Sequence, residues 1–261
     1  MESKTILTKC QYCGKELKVK KALVLGHTLT IGIEPCTCKQ AQLEQKKQQE
    51  QERLEQLEEK RQHKIKLEKE RVACGVPKRY LNAKTPNAAR LAKECLDGKS
   101  VYICGKVGVG KTYYASSICN ELQSLKISQH KTGLKFKMLT SIELLNEFKS
   151  CFHTNKDETK VTKSLVDVPV LVIDDLGKEN PTDWACERLF EIVNARYNDM
   201  KSTIITSQYD FNGLTNRLAR GGDTTNADAI VSRLYEDCNI LNLKGNNKRT
   251  FKANFETVDN Y

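Results

Sequence analysis

The fold of this chain is decided by residues 101–112, which read Val101-Tyr102-Ile103-Cys104-Gly105-Lys106-Val107-Gly108-Val109-Gly110-Lys111-Thr112. The first four residues form the apolar run of a buried strand, and the other eight satisfy the pattern G-x-x-x-x-G-K-S/T. The glycines let the backbone curl so that successive N–H groups face one point, and the following helix adds its positive N-terminal end. The sequence therefore predicts a cradle for nucleotide phosphates between a strand and a helix.

Two side chains at the end of this loop are predicted to carry chemistry. Lys111 is expected to reach the β- and γ-phosphates of ATP, and Thr112 to give a hydroxyl oxygen to Mg²⁺, which prefers oxygen ligands. The phosphates would also be bound by the loop residues Gly105, Lys106, Val107, Gly108, Val109 and Gly110. The alternative is a glycine-rich turn that binds nothing, which the strand before it and the helix after it disfavour.

A second apolar run, Val170-Leu171-Val172-Ile173, delivers Asp174 and Asp175 to a strand end. Sheets of α/β proteins bind ligands at the carboxyl ends of their strands. We expect Asp174 to bind the metal and Asp175 to orient the attacking water, because phosphoryl transfer depends on positioning and electrostatics. The alternative is a pair that only caps the strand. A further strand end, Thr206-Ser207-Gln208, places Gln208 to hydrogen-bond the γ-phosphate or the water, although such a strand end taken alone is ordinary.

The chain after residue 100 alternates short apolar runs with amphipathic segments, which is typical of a parallel sheet with helices on both faces. We predict strands at residues 100–104, 135–139, 168–173, 203–206 and 239–243, and helices at residues 111–126, 142–151 and 182–199. The polar stretches 154–163 and 220–228 are predicted to be mobile loops. The predicted fold class is α/β, a doubly wound P-loop domain.

The first 38 residues contain all the closely spaced cysteines. Cys10 and Cys13 form C-x₂-C, and Cys36 and Cys38 form C-x-C. Four thiolates suit a tetrahedral structural Zn²⁺ ion, which would supply folding energy that a segment with few apolar side chains lacks. His27 is an alternative ligand in place of one cysteine, and unmetallated thiols are the alternative to zinc. The other seven cysteines are interpreted as reduced, partly buried residues.

Residues 39–73 are rich in Gln, Glu, Lys and Arg, and no Gly or Pro interrupts them. This composition predicts a long helix, and its sparse apolar residues favour a solvated connector over a coiled coil. Gly75 and Pro77 follow its end. We therefore predict a zinc-binding module at residues 1–38, a charged helical linker at 39–73 and a nucleotide-binding domain at 74–261.

Composition excludes several classes of protein. The chain has 261 residues, of which 39% are hydrophobic and 29% charged. No apolar run approaches the roughly 20 residues of a membrane-spanning helix. The first residues lack the apolar stretch of a secretory signal, so a cytoplasmic location with reduced thiols is expected. A formal net charge of +10 is compatible with polyanionic partners such as nucleic acid.

Residues 74–261 resemble the AAA+ ATPases of the bacterial and phage helicase-loader group, DnaC and DnaI, and the related transposition helper IstB. Besides the two nucleotide motifs, the resemblance is carried by Gly75-Val76-Pro77-Lys78-Arg79-Tyr80, Leu176-Gly177, Thr206-Ser207-Gln208, Ala229-Ile230-Val231-Ser232-Arg233-Leu234 and Leu243-Lys244-Gly245-Asn246-Asn247-Lys248-Arg249. It implies that Arg233 projects into the nucleotide of a neighbouring subunit, where a guanidinium neutralises transition-state charge. It also implies a domain without a C-terminal helical lid. Gln208 stands where loaders usually have asparagine, and a second arginine near Arg233 is replaced by Asp228 or Ala229.

The resemblance also implies a function. It implies a slow ATPase, stimulated by DNA or a partner, that loads a hexameric DnaB-type replicative helicase onto single-stranded DNA and self-associates through its ATPase domain. The cysteine module resembles the zinc-bearing N-terminal part of DnaI-type loaders, which implies that it grips the helicase. Two alternatives stay open: a zinc-bearing nucleic-acid-binding adaptor with a structural nucleotide, and an IstB-like transposition helper ATPase. No membrane partner is expected.

Overall fold

A computed structural model of the protein describes residues 9–24, 27–128, 136–153, 157–222 and 224–248. The chain divides into two compact units, Met1–Lys66 and Leu67–Tyr261. The division that the sequence predicts, at residues 38 and 73, differs from this one and stays a prediction. Among the described residues, no helix combines the length and the apolar character needed to cross a membrane.

The first unit contains a β-hairpin and most of a long helix. Strand β1 (Val19–Val24) pairs antiparallel with strand β2 (His27–Ile33), with Val24 opposite His27. Helix α1 (Lys39–Ala73) has 35 residues, and none of them is buried. The helix predicted from composition is confirmed. Gly26, between the two strands, lies outside the described residues.

The second unit contains a five-stranded, all-parallel sheet with the order β4-β5-β6-β3-β7. Its strands are β3 (Ser100–Cys104), β4 (Phe136–Thr140), β5 (Val170–Leu176), β6 (Ser202–Ser207) and β7 (Cys238–Asn242). Its helices are α2 (Ala88–Leu96), α3 (Lys111–Ser128), α4 (Ser141–His153), α5 (Glu158–Val166), α6 (Asp183–Asn198), α7 (Phe211–Leu218) and α8 (Thr224–Asp237). The α/β fold class is thereby confirmed.

The sheet separates two hydrophobic cores, one on each face. Tyr102 and Ile173 enter the core that α4 to α8 cover, whereas Ile103 and Val172 enter the core that α2 and α3 cover. Successive side chains of a strand point to opposite faces, so strands buried on both sides are continuously apolar. This arrangement is the predicted doubly wound one.

Two loop predictions are wrong. Within residues 154–163, α5 begins at Glu158, and the carboxylate of its N-cap Asp157 accepts the Thr159 N–H at 2.9 Å. Within residues 220–228, α8 begins at Thr224 and buries one stripe of side chains, which are Ala227, Ile230 and Leu234. Both segments are rich in polar side chains, and this composition is the reason why the sequence predicts loops there.

The other boundaries agree with the predicted ones to within a few residues. Strand β5 begins two residues later than predicted, after Pro169, and continues through Leu176 so that it includes Asp174 and Asp175. Residue 135, predicted to begin β4, lies outside the described residues. Helices α2 and α7 were not predicted. Strands β5, β6 and β3 are adjacent in the sheet, so their carboxyl ends lie side by side.

Candidate nucleotide-binding site

The phosphate loop connects β3 to α3, as the sequence predicts. Lys111 is the first residue of α3, and its side chain is 7% exposed. Its Nζ donates hydrogen bonds to the carbonyl oxygens of Gly105 at 2.9 Å and Lys106 at 3.1 Å. The ammonium group therefore lies within the curl of the loop, where an anionic phosphate would attract it.

Thr112 and Asp174 meet at the end of this loop. Oγ1 of Thr112 donates to the two carboxylate oxygens of Asp174, at 3.1 and 3.0 Å. Asp174 is 6% exposed and also accepts a hydrogen bond of 2.6 Å from Oγ1 of Thr206 on β6. The structure thus brings together the two residues that were predicted to bind magnesium from separate motifs.

The environment of Asp174 suits a cation. Burial raises the pKa of its carboxyl group and the neighbouring Asp175 adds to the rise, while hydrogen bonds from Thr206 and Thr112 and the charge of Lys111 oppose it. A buried carboxylate beside a hydroxyl oxygen is a donor set that Mg²⁺ prefers. A divalent cation would offset the cost of keeping this carboxylate ionised.

Asp175 lies beside Asp174 at an irregular point of β5. Its φ is +57°, and the register between β5 and β6 shifts between Ile173 and Leu176. The carboxylate of Asp175 forms an ion pair of 3.1 Å with Nζ of Lys178. The bulge turns Asp175 into the cavity wall, although it directly follows a residue that contacts Thr112.

A cavity of about 870 Å³ opens next to the loop. Lys111, Thr112, Asp175 and Gln208 all line it, so four residues predicted from three separate motifs share one site. Gln208 follows β6 and is exposed. Asp174 does not line the cavity directly but reaches it through Thr112.

One wall of the cavity is aromatic. Arg79, Tyr80 and Tyr113 line it, and the rings of Tyr80 and Tyr113 meet edge to face with centroids 5.9 Å apart. The guanidinium of Arg79 lies 5.5 Å from the centre of the Tyr80 ring. Planar apolar faces beside a cation are suited to a nucleobase, because aromatic rings and guanidinium groups stack on bases.

Arg233 lies away from this cavity, on α8. Its Nε donates to Oδ1 of Asn194 at 2.9 Å, and its guanidinium carbon lies 5.0 Å from the centre of the Phe190 ring. Asn194 and Phe190 both belong to α6 of the same chain. Arg233 is therefore not part of the site formed by its own chain, and its predicted role in a neighbouring site stays a prediction.

The first unit contains the four cysteines that the sequence predicts to bind zinc. The sulfur atoms of Cys10, Cys13, Cys36 and Cys38 all lie within 4.8 Å of one another, with Cys10 and Cys38 at 3.8 Å and Cys13 and Cys36 at 3.4 Å. Four sulfurs about 2.3 Å from one tetrahedral Zn²⁺ would be about 3.8 Å apart, so the cluster has the size of a zinc site. The side chain of His27 lies outside the described residues.

The backbone around these cysteines favours thiolates. The N–H groups of Tyr12 and Cys13 hydrogen-bond the sulfur of Cys10 and lower its pKa to about 6. The Cys38 N–H acts on Cys36 in the same direction, but the sulfurs of neighbouring cysteines outweigh it and raise the pKa of Cys36 to about 12. Thiols this close cannot all ionise unless a cation binds between them.

Several residues of the site were not predicted from the sequence. Thr206 reaches Asp174 because of the way β6 aligns with β5, and no single motif encodes the alignment of two strands. Lys178 and Tyr113 line the cavity without belonging to a recognised pattern, and Lys248 lies in a stretch that carries the family resemblance but had no role predicted for it. For Tyr113, its position directly after Thr112 was a signal in the sequence that it could lie near the site.

The fold and the site define a P-loop nucleotide-binding domain with a parallel α/β sheet. The chain belongs to the IstB-like ATP binding protein family, whose sequence profile matches residues 39–254. The resemblance to AAA+ ATPases of the DnaC and DnaI type is confirmed by the relatives that the chain matches.

Two known proteins and one solved structure illustrate the similarity. The chain is 24% identical over 255 residues to the replicative helicase loader DnaI of Bacillus subtilis, a match that covers 92% of this chain and 78% of that protein. It is 29% identical over 151 residues to the ATP-binding protein of insertion sequence IS5376 from Geobacillus stearothermophilus, covering 58% and 55%. A crystal structure of DnaI has the same fold, with a TM-score of 0.51 at 22% identity over 65% of this chain and 95% of that one.

Proposed function

We propose that this protein is an ATP-dependent loader that places a hexameric DnaB-type replicative helicase onto single-stranded DNA. The observation that carries the proposal is the extent of the similarity to DnaI. The match leaves 8% of the chain uncovered. This is fewer residues than the cysteine-bearing segment before α1 contains, so the match extends into that segment. A relative that shares both the ATPase domain and part of the cysteine module supports a shared task.

ATP binding and hydrolysis act as the switch in this proposal. Lys111 and the backbone of residues 105–112 bind the phosphates, while Thr112 and Asp174 hold Mg²⁺. The ion would neutralise charge on the phosphates as the terminal phosphoryl group leaves. Asp175 and Gln208 line the same cavity and orient the attacking water.

Self-association completes the catalytic site. Arg233 lies outside the cavity of its own chain, and in this proposal its guanidinium acts on the nucleotide of the adjacent protomer. Hydrolysis would then depend on assembly around DNA, which fits a slow ATPase that DNA or a partner stimulates. The zinc-binding module at residues 1–38 grips the helicase, the helix at 39–73 links it to the ATPase domain at 74–261, and the cysteine cluster is held together by Zn²⁺.

A transposition helper is the second candidate. The observation in its favour is the match to the insertion-sequence ATP-binding protein, which has the higher identity over a shorter stretch. That match covers 58% of the chain, and the family profile begins at residue 39, after the cysteine segment. The cysteine module is therefore the feature that favours the loader over the helper.

The test is co-purification of the full chain from cells, in the presence of ATP, with identification of the bound proteins by mass spectrometry. We expect a replicative helicase in the wild-type sample, with DNA-stimulated ATP turnover that Lys111→Ala abolishes. Recovery of a transposase instead would favour the transposition helper. ATP binding without Lys111-dependent turnover would favour an adaptor with a structural nucleotide.

A further inference from the structure

The chain that follows β7 turns back over the phosphate loop. At one end the Leu243 N–H donates to the Cys104 carbonyl at 2.8 Å, and at the other the Lys248 N–H donates to the Gly108 carbonyl at 2.9 Å. These bonds hold residues 243–248, named the strap, along the first half of the loop. The strap is therefore part of the wall of the cradle.

Two glycines of the loop lie close against the strap. A Cβ on Gly105 would lie 2.4 Å from the carbonyl oxygen of Leu243, and a Cβ on Gly108 would lie 1.8 Å from Oδ1 of Asn247. Both distances are well below van der Waals contact. Loop and strap are thus in close contact. At Gly105 the obstacle is the backbone of the strap, which restricts the residue type, whereas at Gly108 it is the exposed side chain of Asn247, which can turn away.

The strap brings a positive charge to the cavity. Lys248 lines the cavity together with Lys111 and Thr112, and its Cδ lies 4.0 Å from the place a Cβ would take on Gly110. The other lysine in the cavity wall, Lys178, is paired with Asp175. Lys248 is exposed, so its ammonium group can reach an anion without being desolvated first.

We propose that Lys248 is a phosphate-binding residue, which the strap delivers to the terminal phosphates of ATP beside Lys111. The proposal rests on the proposed nucleotide function of the cavity and adds a residue to it. The attraction of one ammonium group grows with the number of phosphate charges within a Debye length of about 10 Å. Lys248 is therefore expected to favour ATP over ADP, and ADP over AMP.

The test is calorimetric titration of the full chain with ATP, ADP and AMP in the presence of Mg²⁺. We expect Lys248→Gln to weaken ATP binding by about fivefold, ADP binding by less, and AMP binding not at all, given that the lysine is exposed and screened. Lys248→Arg keeps the charge and is expected to retain the wild-type order of affinities. Lys244→Gln is the matched control, because Lys244 is an exposed lysine of the same strap outside the cavity lining.

Three results would overturn the proposal while leaving the nucleotide site intact. These are unchanged ATP affinity in Lys248→Gln, equal weakening of all three nucleotides, which indicates a packing role, and equal weakening by Lys244→Gln, which indicates a net-charge effect. Absence of ATP binding by the wild-type chain is a different result. It would overturn the nucleotide site itself, and the role of Lys248 with it.

Discussion

Thr206 donates a hydrogen bond of 2.6 Å to the carboxylate of Asp174, from β6 to the neighbouring β5. The same hydroxyl oxygen accepts the N–H of Asp175 at 2.9 Å. One side chain therefore fixes the carboxylate of one acidic residue and the backbone of the next. Because β5 bulges at this point, the regular ladder of backbone hydrogen bonds between β5 and β6 cannot hold these two residues in place.

Replacing Thr206 by valine keeps the branched shape and removes the hydroxyl group. We expect Thr206→Val to lower the free energy of unfolding by about 1–3 kcal/mol, because the buried carboxylate of Asp174 loses one of its two hydroxyl donors and the Asp175 N–H loses its acceptor. The concentration of Mg²⁺ needed for half-maximal ATP binding should rise. Urea unfolding followed by fluorescence of Trp184, the one tryptophan of the chain, measures the first effect. Thr206→Ser retains the hydroxyl, and an equal loss in both variants would contradict the assigned role.

Asp174 is expected to destabilise the protein when neither nucleotide nor magnesium is bound. Burial raises the pKa of its carboxyl group, with Asp175 adding to the effect. When the pKa of a carboxyl group is higher in the folded than in the unfolded state, its protonation favours the folded state. This contribution to the free energy of unfolding is complete below the unfolded pKa and is lost as the pH rises through the folded pKa. Asp174→Asn stays neutral and should therefore unfold at a higher temperature than the wild type near neutral pH.

Thermal unfolding of the nucleotide-free, chelator-treated proteins measures this difference. It should shrink as the pH falls through the raised pKa of the folded state towards the ordinary aspartate pKa of about 3.9, because the wild-type carboxyl group becomes protonated. The same variant should lose magnesium-dependent ATP binding, so stability and function would change in opposite directions. A stability difference that does not vary with pH would argue against burial of the charge as its cause.

The parts of the site that could be predicted from the sequence are those encoded locally. The loop ending in Lys111 and Thr112 is one continuous motif, and Asp174 directly follows an apolar run. Parallel strands bring their carboxyl ends to one edge, so the meeting of these residues follows from the fold class. The contact between Thr112 and Asp174 confirms that step.

The parts that could not be predicted depend on register or on the return of the chain. Thr206 reaches Asp174 because of how β6 aligns with β5, and Lys248 reaches the cavity because the chain turns back after β7. Helix α5 is not recognisable in the sequence because it buries one described side chain, that of Leu165. A single buried residue gives no helical periodicity of apolar residues in a polar segment.

Arg196 is a structural residue that belongs to none of the sequence motifs described above. It is fully buried, and its guanidinium donates to the Thr203 hydroxyl and to the carbonyl oxygens of Leu165, Val166, Val168, Pro169 and Ser202. Burial lowers its pKa to about 10. The side chain thus joins the C-terminal end of α5 to the starts of β5 and β6.

Replacing Arg196 by methionine keeps much of the volume and removes all the donors. We expect a loss of about 3 kcal/mol or more in the free energy of unfolding, because several buried carbonyl groups are left without partners. Arg90→Met is the control, since Arg90 is exposed in an i,i+4 pair with Glu94 and should change stability by less than about 1 kcal/mol. Similar losses in the two variants would show that the buried network contributes little.

The cysteine cluster predicts about one zinc ion per chain in the purified protein. Cys13→Ser removes one of the four clustered sulfurs and should lower the zinc content and speed its release to a chelator. Cys151→Ser is the matched control, because this cysteine donates to the Glu147 carbonyl within α4 and is not one of the four clustered cysteines. Metal analysis by mass spectrometry measures the content. A wild-type protein without zinc, or a Cys13→Ser variant with full content, would contradict the site.

Arg233 lies outside the nucleotide cavity of its own chain, which leads to a prediction about mixtures of two variants. Arg233→Ala should bind ATP as the wild type does but hydrolyse it about 100-fold more slowly or worse, because the transition-state charge loses its cation. Lys111→Ala should fail at binding. In a mixture, an Arg233→Ala chain with an intact loop can sit next to a Lys111→Ala chain with an intact arginine, so part of the turnover should return.

The control for this mixture is a chain that carries both Lys111→Ala and Arg233→Ala and has no arginine to donate. Mixed with Arg233→Ala, it should restore nothing, although native mass spectrometry should show the same co-assembly. If the two single variants co-assemble and recover no turnover, Arg233 does not act across subunits. Its contacts with Asn194, Ala229, Phe190 and Tyr197 would then serve the fold, and the variant should lose stability instead of catalysis.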